Sequence, residues 1–483
     1  MSEAADTQSN ITHSALCDGM NGVGVRIESQ FVRGFSGMQM VGNISESLRD
    51  SRERAKTALE SLGVHLPPQK LVMSITPAEI KKSGAQFDLA IAVNLLLLMS
   101  KSSKTPYRNS EHYVYVAGLS LTGELLGVKG IISYAIAAIS EGFQGIVIAT
   151  DNAADLAILK GMPNGRFDDL EILAFTNLQE VNHWLKGKQD GLCITADSLP
   201  CNPDVGDADV LSSGRQGGGR AGVQVAELTD TVKRHRSHPL NFNDMVLDEK
   251  LYRVALCMAV GHHSLLLQGP PGTGKSMFAS RVPSILPLLD SKVHLQALNI
   301  SSSHSVNVSS QLLAGFPPFR SPHHSASPQG ILGTTDQPGD IALAHGGVLF
   351  LDEIPEFRRD IIEALREPLE TGEIHISRAK AKSKWPANLI LIAAANNCPC
   401  GYWGSKKKTC SCAINSIISY RRKLSGPIVD RIDMHINVTE HKDDPSLLLD
   451  LAGSDDDQTT HMRECVDASL SFALQRNRKL GLS

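Results

Sequence analysis

The 483-residue chain lacks an apolar run long enough to cross a bilayer. Its longest such run, Leu89 to Met99, falls well short of the roughly 20 residues that a membrane span needs, and it contains Asn94. The first residues also lack the basic and apolar regions of a signal peptide. These absences predict a cytoplasmic protein with no membrane partner.

The number of cysteines in the chain is odd, and neither sign of charge is in strong excess. Nine cysteines, an odd number without an export signal, favour thiols or metal ligands over disulfides. The formal net charge of −4 excludes a uniformly basic nucleic-acid coat, although it permits a local basic patch. Hydrophobic content of 42% and charged content of 20% are ordinary for a globular protein. The length favours two or three domains.

The most informative segment fits the pattern G-x-x-x-x-G-K-[ST]. Its residues are Gly269, Pro270, Pro271, Gly272, Thr273, Gly274, Lys275 and Ser276. The apolar run 264–268 before it predicts a buried strand, and Met277 to Leu289 after it predicts a helix. In this arrangement the glycines let backbone N–H groups converge on phosphate, and the helix N-terminus adds partial positive charge. Lys275 can reach the terminal phosphates and the Ser276 hydroxyl can bind Mg²⁺. The alternative is a chance glycine loop.

A second element lies about 75 residues downstream, at Val348 to Glu353. It reads as an apolar strand that ends in two carboxylates. Asp352 would hold Mg²⁺, directly or through water, and Glu353 would polarise an attacking water as general base. The alternative is an acidic helix cap that follows a core strand.

The chain divides into segments of different composition. Residues 1–14 predict a disordered N-terminus. Residues 15–185 alternate strand-like runs (24–28, 113–117 and 145–149) with helix-like runs (45–62 and 131–142). Residues 186–238, which include the glycine-rich run 213–220, predict a flexible linker. The nucleotide domain spans 239–438, and a tail with a helical pattern spans 439–483.

Several further stretches carry a family resemblance. They are residues 51–54, 87–89, 319–324, 377–379, 398–401 and 425–433, together with 269–276 and 349–353. The chain resembles the ComM/YifB family of magnesium-chelatase-like AAA+ proteins. The resemblance implies an α/β fold with a P-loop AAA+ domain, a ring-forming ATPase that is a homo-oligomer, expected to be a hexamer, and the cofactors ATP and Mg²⁺. It also implies DNA as partner, single-stranded or branched, and branch migration during natural transformation.

Two residues take their roles from this resemblance. Asn396, at the end of the apolar run 389–395, matches the family's sensor asparagine, which would orient water beside Glu353. The next family position is usually proline, and here it is Asn397. Arg431 matches the arginine finger, which would reach a neighbouring subunit's γ-phosphate. The alternatives are a strand-end cap for the asparagine and an ordinary ion pair for Arg431, with Asp430 or Asp433.

Four cysteines form two close pairs within the insertion 398–412, which we call the cysteine loop. They are Cys398, Cys400, Cys410 and Cys412. Four thiolates from two short pairs can close a tetrahedral Zn²⁺ site. The C-x-C spacing is tighter than the usual C-x₂-C, so free cysteines or redox-labile thiols remain open.

Residues 374–431, which we call the basic segment, hold eleven lysines and arginines and one acid, Asp430. The cations are Arg378, Lys380, Lys382, Lys384, Lys406, Lys407, Lys408, Arg421, Arg422, Lys423 and Arg431. The interleaved aromatics are Trp385, Tyr402, Trp403 and Tyr420. Phosphate contacts and base stacking by these residues would favour nucleic acid. The alternative is a solvated face balanced by acids elsewhere in the fold.

The N-terminal domain 15–185 resembles the proteolytic domain of Lon, an α+β domain with a Ser-Lys dyad. Gln86 stands at the position of the serine and Ile132 at that of the lysine. Ser83 and Lys129 nearby are a remote alternative. The resemblance therefore predicts a non-catalytic module for assembly or DNA engagement.

The last residues, 480–483, resemble the segment that in this family leads into a helix with a sensor arginine. A partial helical lid over 439–483, weak ATP turnover and impaired ring assembly follow as expectations. Arg476 and Arg478 lie before the matching helix. The alternative is that a helix around 462–480 closes the pocket by itself.

Three function classes remain. A DNA-translocating ATPase leads, a chelatase-type motor that inserts Mg²⁺ into a porphyrin is second, and an ATP-dependent Lon-like protease is disfavoured. No acidic metal-binding partner domain of the kind such chelatases use is present in the sequence.

Overall fold

The structure, a computed structural model, describes residues 10–100, 107, 110–162, 166–188, 192–194, 238–378, 381–405, 408–424, 426–439 and 457–480. The contacts divide the chain into two compact units. The first comprises Met1–Thr231 with Ser301–Val308, and the second Val232–Ile300 with Ser309–Ser483. Most of the predicted linker, and residues 440–456 and 481–483 of the tail, lie outside the described residues.

The described part of the first unit is a mixed α/β fold. Its strands are β1 Asn10–Asp18, β2 Asn21–Val32, β3 Gly37–Val41, β4 Lys70–Thr76, β5 Tyr113–Val116, β6 Gly118–Leu119, β7 Leu125–Leu126, β8 Gly145–Ala149, β9 Glu171–Phe175 and β10 Leu192–Ile194. Its helices are α1 Glu46–Ser61, α2 Asp88–Ser100, α3 Ile131–Ser140, α4 Ala153–Lys160 and α5 Leu178–Leu185.

Eight of these strands form one sheet in the order β10-β9-β8-β5-β1-β2-β4-β3. β1 and β2 pair antiparallel from Asn10↔Ser29 to Asp18↔Asn21, whereas β5, β8 and β9 run parallel. Strand β10 lies inside the segment 186–238 that the sequence assigns to a linker. The fold of the first unit therefore extends at least to Ile194. At the other end, residues 10–14 of the predicted disordered N-terminus 1–14 belong to β1, where their pairing with β2 orders them.

Helix α2 lies in the core of the first unit, and an ion pair fixes its first residue. Asp88 is fully buried, and its carboxylate accepts hydrogen bonds from Arg54 Nε at 2.7 Å and Nη2 at 3.0 Å. The Leu119 N–H donates to the same carboxylate at 3.1 Å. Because the charge is paired and its oxygens are occupied, its burial is tolerated. The pair joins two of the segments that carry the family resemblance, 51–54 and 87–89.

The second unit holds the remaining described elements. Its strands are β11 Leu265–Gln268, β12 Phe319–Arg320, β13 Val348–Leu351, β14 Glu373–Arg378, β15 Ala381–Pro386, β16 Ile390–Ala395 and β17 Met434–Asn437. Its helices are α6 Glu249–Gly261, α7 Lys275–Arg281, α8 Ser291–His304 (whose residues from 301 group with the first unit), α9 Ser310–Leu313, α10 Pro328–Leu332, α11 Asp340–Leu343, α12 Arg359–Ala364, α13 Arg366–Thr371, α14 Ile414–Arg422, α15 Gly426–Val429 and α16 Gln458–Leu480.

Five of these strands form a parallel sheet in the order β12-β13-β16-β11-β17. β13 and β16 are buried along their whole length, which explains their continuous apolar sequences. In a parallel sheet all carboxyl ends meet at one edge, where ligands bind. The topology therefore places Gly269, Asp352 and Asn396 at the same edge, each just after its strand.

Helix α7 differs from the expected helix over 277–289. It begins two residues earlier, at Lys275, and ends at Arg281. A 3₁₀ turn over Val282–Ser284 follows, with Pro283 inside it. Proline has no N–H to donate and its ring clashes with the preceding turn, so the α-helix stops before it.

Helix α16 packs on the rest of the second unit through Met462 and Val466, which are buried. The Thr459 hydroxyl accepts a hydrogen bond from the Phe242 N–H at 2.9 Å. Arg476 and Arg478 are exposed near the end of this helix. Within the described ranges, no helix combines the length and apolar content that crossing a bilayer requires.

Candidate functional site

The loop between β11 and α7 forms a cradle that requires glycine. Gly272 and Gly274 adopt φ of 75° and 80°, in the left-handed region that side chains avoid. A Cβ atom at Gly269 would lie 2.3 Å from the Val438 carbonyl oxygen. The Thr273 hydroxyl donates to the Pro270 carbonyl at 3.0 Å and closes the loop. The backbone N–H groups ahead of α7 are thus available to an anion.

Lys275 lies within this loop. Its Nζ donates to the Gly269 and Pro270 carbonyl oxygens, both at 2.8 Å, and lies 3.4 Å from Asn396 Oδ1. Burial lowers the pKa of Lys275, while the charges of Asp352 and Glu353 act in the opposite sense. The loop carbonyls therefore hold a partly desolvated ammonium group at the place where phosphate would bind.

Ser276 and Asp352 lie side by side. The Ser276 hydroxyl donates to Asp352 Oδ2 at 2.8 Å, although the two residues are 76 positions apart. Two neighbouring ligands of an octahedral Mg²⁺, each at 2.0–2.1 Å, are about 2.9 Å apart. The two oxygens therefore fit adjacent positions on one Mg²⁺ ion.

Glu353 occupies an unusual backbone conformation. Its φ of 51° places it in the left-handed region, one of two such non-glycine residues among those described. Its N–H donates to Asp352 Oδ1 at 3.0 Å, and its Oε1 accepts from Asn396 Nδ2 at 3.2 Å. Such a conformation costs of order 1–3 kcal/mol and persists where the surroundings impose it. It turns the Glu353 carboxylate towards Asn396, so a water beside this hydrogen-bonded pair could be oriented by the amide and deprotonated by the carboxylate.

Arg431 lies in a different group of residues. It forms an ion pair with Glu370 in α13, a partner that the sequence analysis did not anticipate. Both residues line a cavity of about 760 Å³ together with Asp290 and Asp433. The 61 positions between Arg431 and Glu370 follow no short-range spacing rule, so the sequence carried no signal for the pair.

The four thiols of the cysteine loop converge. All four sulfur atoms lie within 4.8 Å of one another. Cys398 Sγ is 3.4 Å from Cys400 Sγ and 3.6 Å from Cys410 Sγ, and the latter two sulfurs are 3.6 Å apart. Tetrahedral zinc with Zn–S bonds of about 2.3 Å separates its sulfurs by about 3.8 Å. The cluster therefore has the dimensions of a four-thiolate zinc site.

The environment of this cluster favours a thiolate at Cys400, whereas burial and the neighbouring thiols raise the pKa of Cys410 and of Cys412. The Tyr402 backbone N–H and the neighbouring thiols lower the pKa of Cys400 to about 6. The Trp403 N–H donates to Cys398 Sγ at 3.2 Å. Backbone donors to sulfur stabilise thiolate, which is the form that binds metal.

The cysteine loop adjoins the phosphate cradle. Gly401 has φ of 84°, and a Cβ atom there would lie 3.0 Å from Pro271 Cδ, so glycine is favoured at this approach. Asn397 Nδ2 donates to the Trp403 carbonyl at 3.0 Å and ties the loop to the end of β16. A metal in the cysteine loop would therefore support the backbone that carries Asn396.

The basic segment is less uniform than its sequence indicates. Trp385 is fully buried and donates to the Thr334 carbonyl at 3.2 Å, and Tyr420 is 5% exposed. These two aromatics belong to the core, and the expectation that they stack on bases is wrong. Trp403 is 44% exposed, and Lys408 Nζ lies 4.5 Å from the centre of the Tyr402 ring.

Acids balance part of the charge of the basic segment. Lys384 pairs with Glu373 at 2.6 Å, Lys423 with Glu356 at 3.3 Å, and Arg431 with Glu370. Lys380, Lys406 and Lys407, and the side chains of Arg378 and Lys382, lie outside the described residues. The described surface that keeps exposed aromatic and basic groups together is the cysteine loop with Arg421 and Arg422.

In the first unit, Gln86 Nε2 donates to the Ser83 carbonyl at 2.8 Å, and Lys129 is exposed. Ile132 is fully buried in α3. Among the described residues no hydrogen bond joins Ser83 to Lys129. Ser83 and Lys129 therefore form no hydrogen-bonded dyad in the described part of the chain.

Two family models match this chain, one in each of the two units. A family described as "Magnesium chelatase, subunit ChlI" matches residues 241–445, and one described as "Subunit ChlI of Mg-chelatase" matches residues 27–152. The uncharacterized protein YifB of Escherichia coli is 34% identical over 89% of this chain and 76% of its own length. Competence protein ComM of Haemophilus influenzae is 33% identical over 89% of this chain and 76% of its own. Uncharacterized protein Rv2897c of Mycobacterium tuberculosis is 30% identical over 97% and 83%.

The chain belongs to the ComM/YifB family of magnesium-chelatase-like proteins. The parallel sheet and phosphate cradle of the second unit fit the P-loop AAA+ fold of that family. Membership makes this ComM/YifB protein an AAA+ ATPase, with ATP and Mg²⁺ as cofactors. The loop 269–276 fits the phosphates of ATP, and the neighbouring Ser276 and Asp352 oxygens fit Mg²⁺.

Proposed function

We propose that this protein is an ATP-driven, ring-forming motor that acts on DNA in the cytoplasm and promotes branch migration during natural transformation and recombination. The observation that carries the proposal is the position of the cysteine loop. It follows Asn396 in the chain and carries an exposed Trp403 and the Lys408–Tyr402 pair. A change at the γ-phosphate would therefore reach a nucleic-acid contact through the five residues 397–401 that separate Asn396 from Tyr402. The competence name of the ComM relative supports the same partner.

In the proposed mechanism, the loop 269–276 binds the phosphates of ATP and Lys275 neutralises their charge. Ser276 and Asp352 would hold Mg²⁺, which would supply positive charge to the phosphates. Glu353 takes a proton from the attacking water, and Asn396 orients that water. Arg431 of one subunit stabilises transition-state charge in the neighbouring site of a ring, expected to have six subunits.

We further propose that the cysteine loop holds one Zn²⁺ and that the first unit is non-catalytic. Sulfur separations of 3.4–3.6 Å support the zinc site. The replacement of both dyad residues by Gln86 and Ile132 argues against peptidase chemistry and against a Lon-like protease. The assignment of residues 15–185 as a module for assembly or DNA engagement rests on the same replacement.

A strand-release assay tests the proposal. The substrate is a three-strand DNA intermediate with one labelled strand, and the control is Glu353→Gln. We expect ATP-dependent release of the labelled strand by wild type and none by the variant. The competing function is a chelatase-type motor, favoured by the description of the matched families. ATP-dependent insertion of Mg²⁺ into a porphyrin, without strand release, would contradict the proposal.

A further inference from the structure

A cavity of about 370 Å³ opens at the edge of the sheet in the first unit. Edge strand β3, the loop before it, helix α1 and the first residue of β4 form its walls. The side chains that define it are Phe35, Met38, Met40, Arg49, Arg52 and Lys70. Its volume falls within the range of about 300–1,000 Å³ that is typical of ligand sites. No part of the proposed ATPase mechanism uses this cavity, which we call the β3 cavity.

The charge of the β3 cavity favours an anion. Three of its lining residues are cations, and none of those described there is a carboxylate. Arg52 Nη1 donates to the Met38 carbonyl at 2.9 Å, so a strand carbonyl holds this guanidinium against β3. Glu53 pairs with Arg52 at 2.6 Å from outside the lining, whereas Arg49 is exposed. The local field is therefore positive although the whole chain carries −4.

The loop before β3 is shaped around one of these cations. Gly34 has φ of 154°, and a Cβ atom there would lie 2.8 Å from Lys70 Cδ. The register pairs Gly37 with Lys70 across the β3–β4 ladder. The loop thus packs on the Lys70 side chain, and a larger residue at Gly34 would displace it.

An aromatic ring projects from the same loop. Phe35 is 97% exposed, although removing the apolar surface of a phenylalanine side chain from water is favourable. A single exposed apolar residue is ordinary. Here the ring lines a cavity with three cations, and a flat apolar face beside cations matches sites for unpaired nucleic-acid strands.

A second copy of this chain fits the β3 cavity less well. Among the strands that the structure describes, β3 pairs only with β4, so its other edge could pair with a second β3. A two-fold contact would bring the same surface of both copies together. Arg49, Arg52 and Lys70 would then face their own counterparts, and like charges across an interface are repulsive.

We propose that the β3 cavity binds single-stranded nucleic acid. Phe35 stacks on an unpaired base, and Arg49, Arg52 and Lys70 contact the phosphates of adjacent nucleotides. The inference takes DNA as the partner from the proposed function, and it adds a second contact surface, in the first unit. Sequence-independent binding follows, because both stacking and phosphate contacts are common to every base.

Fluorescence anisotropy of a labelled 20-nucleotide oligothymidylate on the full chain tests this inference. Phe35→Ala should weaken binding roughly 5- to 100-fold, the usual effect of removing one stacking ring. Phe35→Trp should retain the wild-type affinity. Arg49→Glu/Lys70→Glu should weaken binding and flatten the dependence of log K on log salt by about 1.4. Lys188→Glu, an exposed cation outside the β3 cavity, is the matched control and should bind as wild type.

Photo-crosslinking separates a direct contact from a folding defect. A 5-iododeoxyuridine oligonucleotide should crosslink to the peptide that contains Phe35 in wild type. Wild-type affinity in both Phe35→Ala and the charge-reversal variant would overturn the inference and leave the proposed function intact. A changed oligomeric state of Phe35→Ala with unchanged DNA affinity would overturn it in favour of a second copy. Absence of all DNA binding by wild type would contradict the proposed function itself.

Discussion

Arg431 forms an ion pair with Glu370 within one chain. Their side chains are 35% and 46% exposed, so each can exchange its partner without unfolding the helix α13 that carries Glu370. An arginine that acts on the nucleotide of a neighbouring subunit must first leave this carboxylate. The pair would therefore compete with catalysis in the assembled ring.

Replacing Glu370 by glutamine should release Arg431. We expect the ATPase rate at limiting protein concentration to rise by up to about fivefold, because an exposed ion pair contributes about 1 kcal/mol or less. Arg431→Ala should lower the rate by about 10³-fold or more, as for other arginine fingers. The double variant should match Arg431→Ala, as measured by phosphate release. Full ATPase activity of Arg431→Ala would exclude Arg431 as the arginine finger. An unchanged ATPase rate in Glu370→Gln would exclude only the competition between Glu370 and the nucleotide for Arg431.

Lys275 and Glu353 should have separable effects on binding and hydrolysis. Lys275→Ala should abolish nucleotide binding, because its ammonium meets phosphate in the ground state. Glu353→Gln should bind ATP normally but lose about 10²–10⁴-fold in turnover, the usual contribution of a general base. A fluorescent ATP analogue reports binding and phosphate release reports turnover. Equal turnover in Glu353→Gln and an active wild type would exclude this residue as the base.

One Zn²⁺ per chain should copurify with the protein. Cys398→Ser/Cys412→Ser should lose the metal and part of the ATPase activity, since the cysteine loop ties the end of β16 to the cradle. Cys257→Ser is the control, because Cys257 is exposed and outside the cluster. Elemental analysis measures the zinc content of wild type and of the two variants. Freshly purified, reduced wild type without metal would refute the zinc site.

Asp155 in α4 should make the first unit less stable as the pH rises. Burial raises its pKa to about 7, while hydrogen bonds from the Val308 N–H and Asn152 oppose the shift. In the unfolded chain the pKa of an aspartate is near 3.9, so between about pH 4 and pH 7 the folded state holds the Asp155 proton more tightly than the unfolded state does. The free energy of unfolding should therefore fall across that window, by up to about 4 kcal/mol.

Asp155→Asn should remove this loss and stabilise the first unit at pH 8. Asp169→Asn, an exposed acid, serves as the control. Urea denaturation at pH 4.5 and pH 8 measures the difference. A variant that is as pH-dependent as wild type would show that another group causes the dependence.

Local patterns predicted the nucleotide edge of the sheet well. β13 and β16 are buried on both faces, so their apolar sequences are continuous and their ends are easy to locate. The glycine pattern similarly identified the loop whose φ values need glycine. The end of α7 was misplaced because the prediction passed over Pro283, which a sequence rule could have used.

Contacts distant in sequence were not predictable. Trp385 was assigned to a nucleic-acid surface, but its indole N–H reaches the Thr334 carbonyl, 51 positions away. The convergence of the Arg431 and Glu370 side chains, and the β3 cavity, depend on how helices and strands pack. Composition and spacing carry no information on such packing, whereas the cysteine pairs lie close enough in sequence for their grouping to be anticipated.

The dependence of ATP hydrolysis on DNA shows whether this ATPase is a motor that acts on DNA. The rate of phosphate release by the purified full chain is measured without DNA, with single-stranded DNA and with a branched duplex, using Glu353→Gln as the inactive control. We expect wild type to hydrolyse ATP and DNA to raise the rate severalfold. Hydrolysis at a rate that neither DNA changes would contradict a motor that acts on DNA.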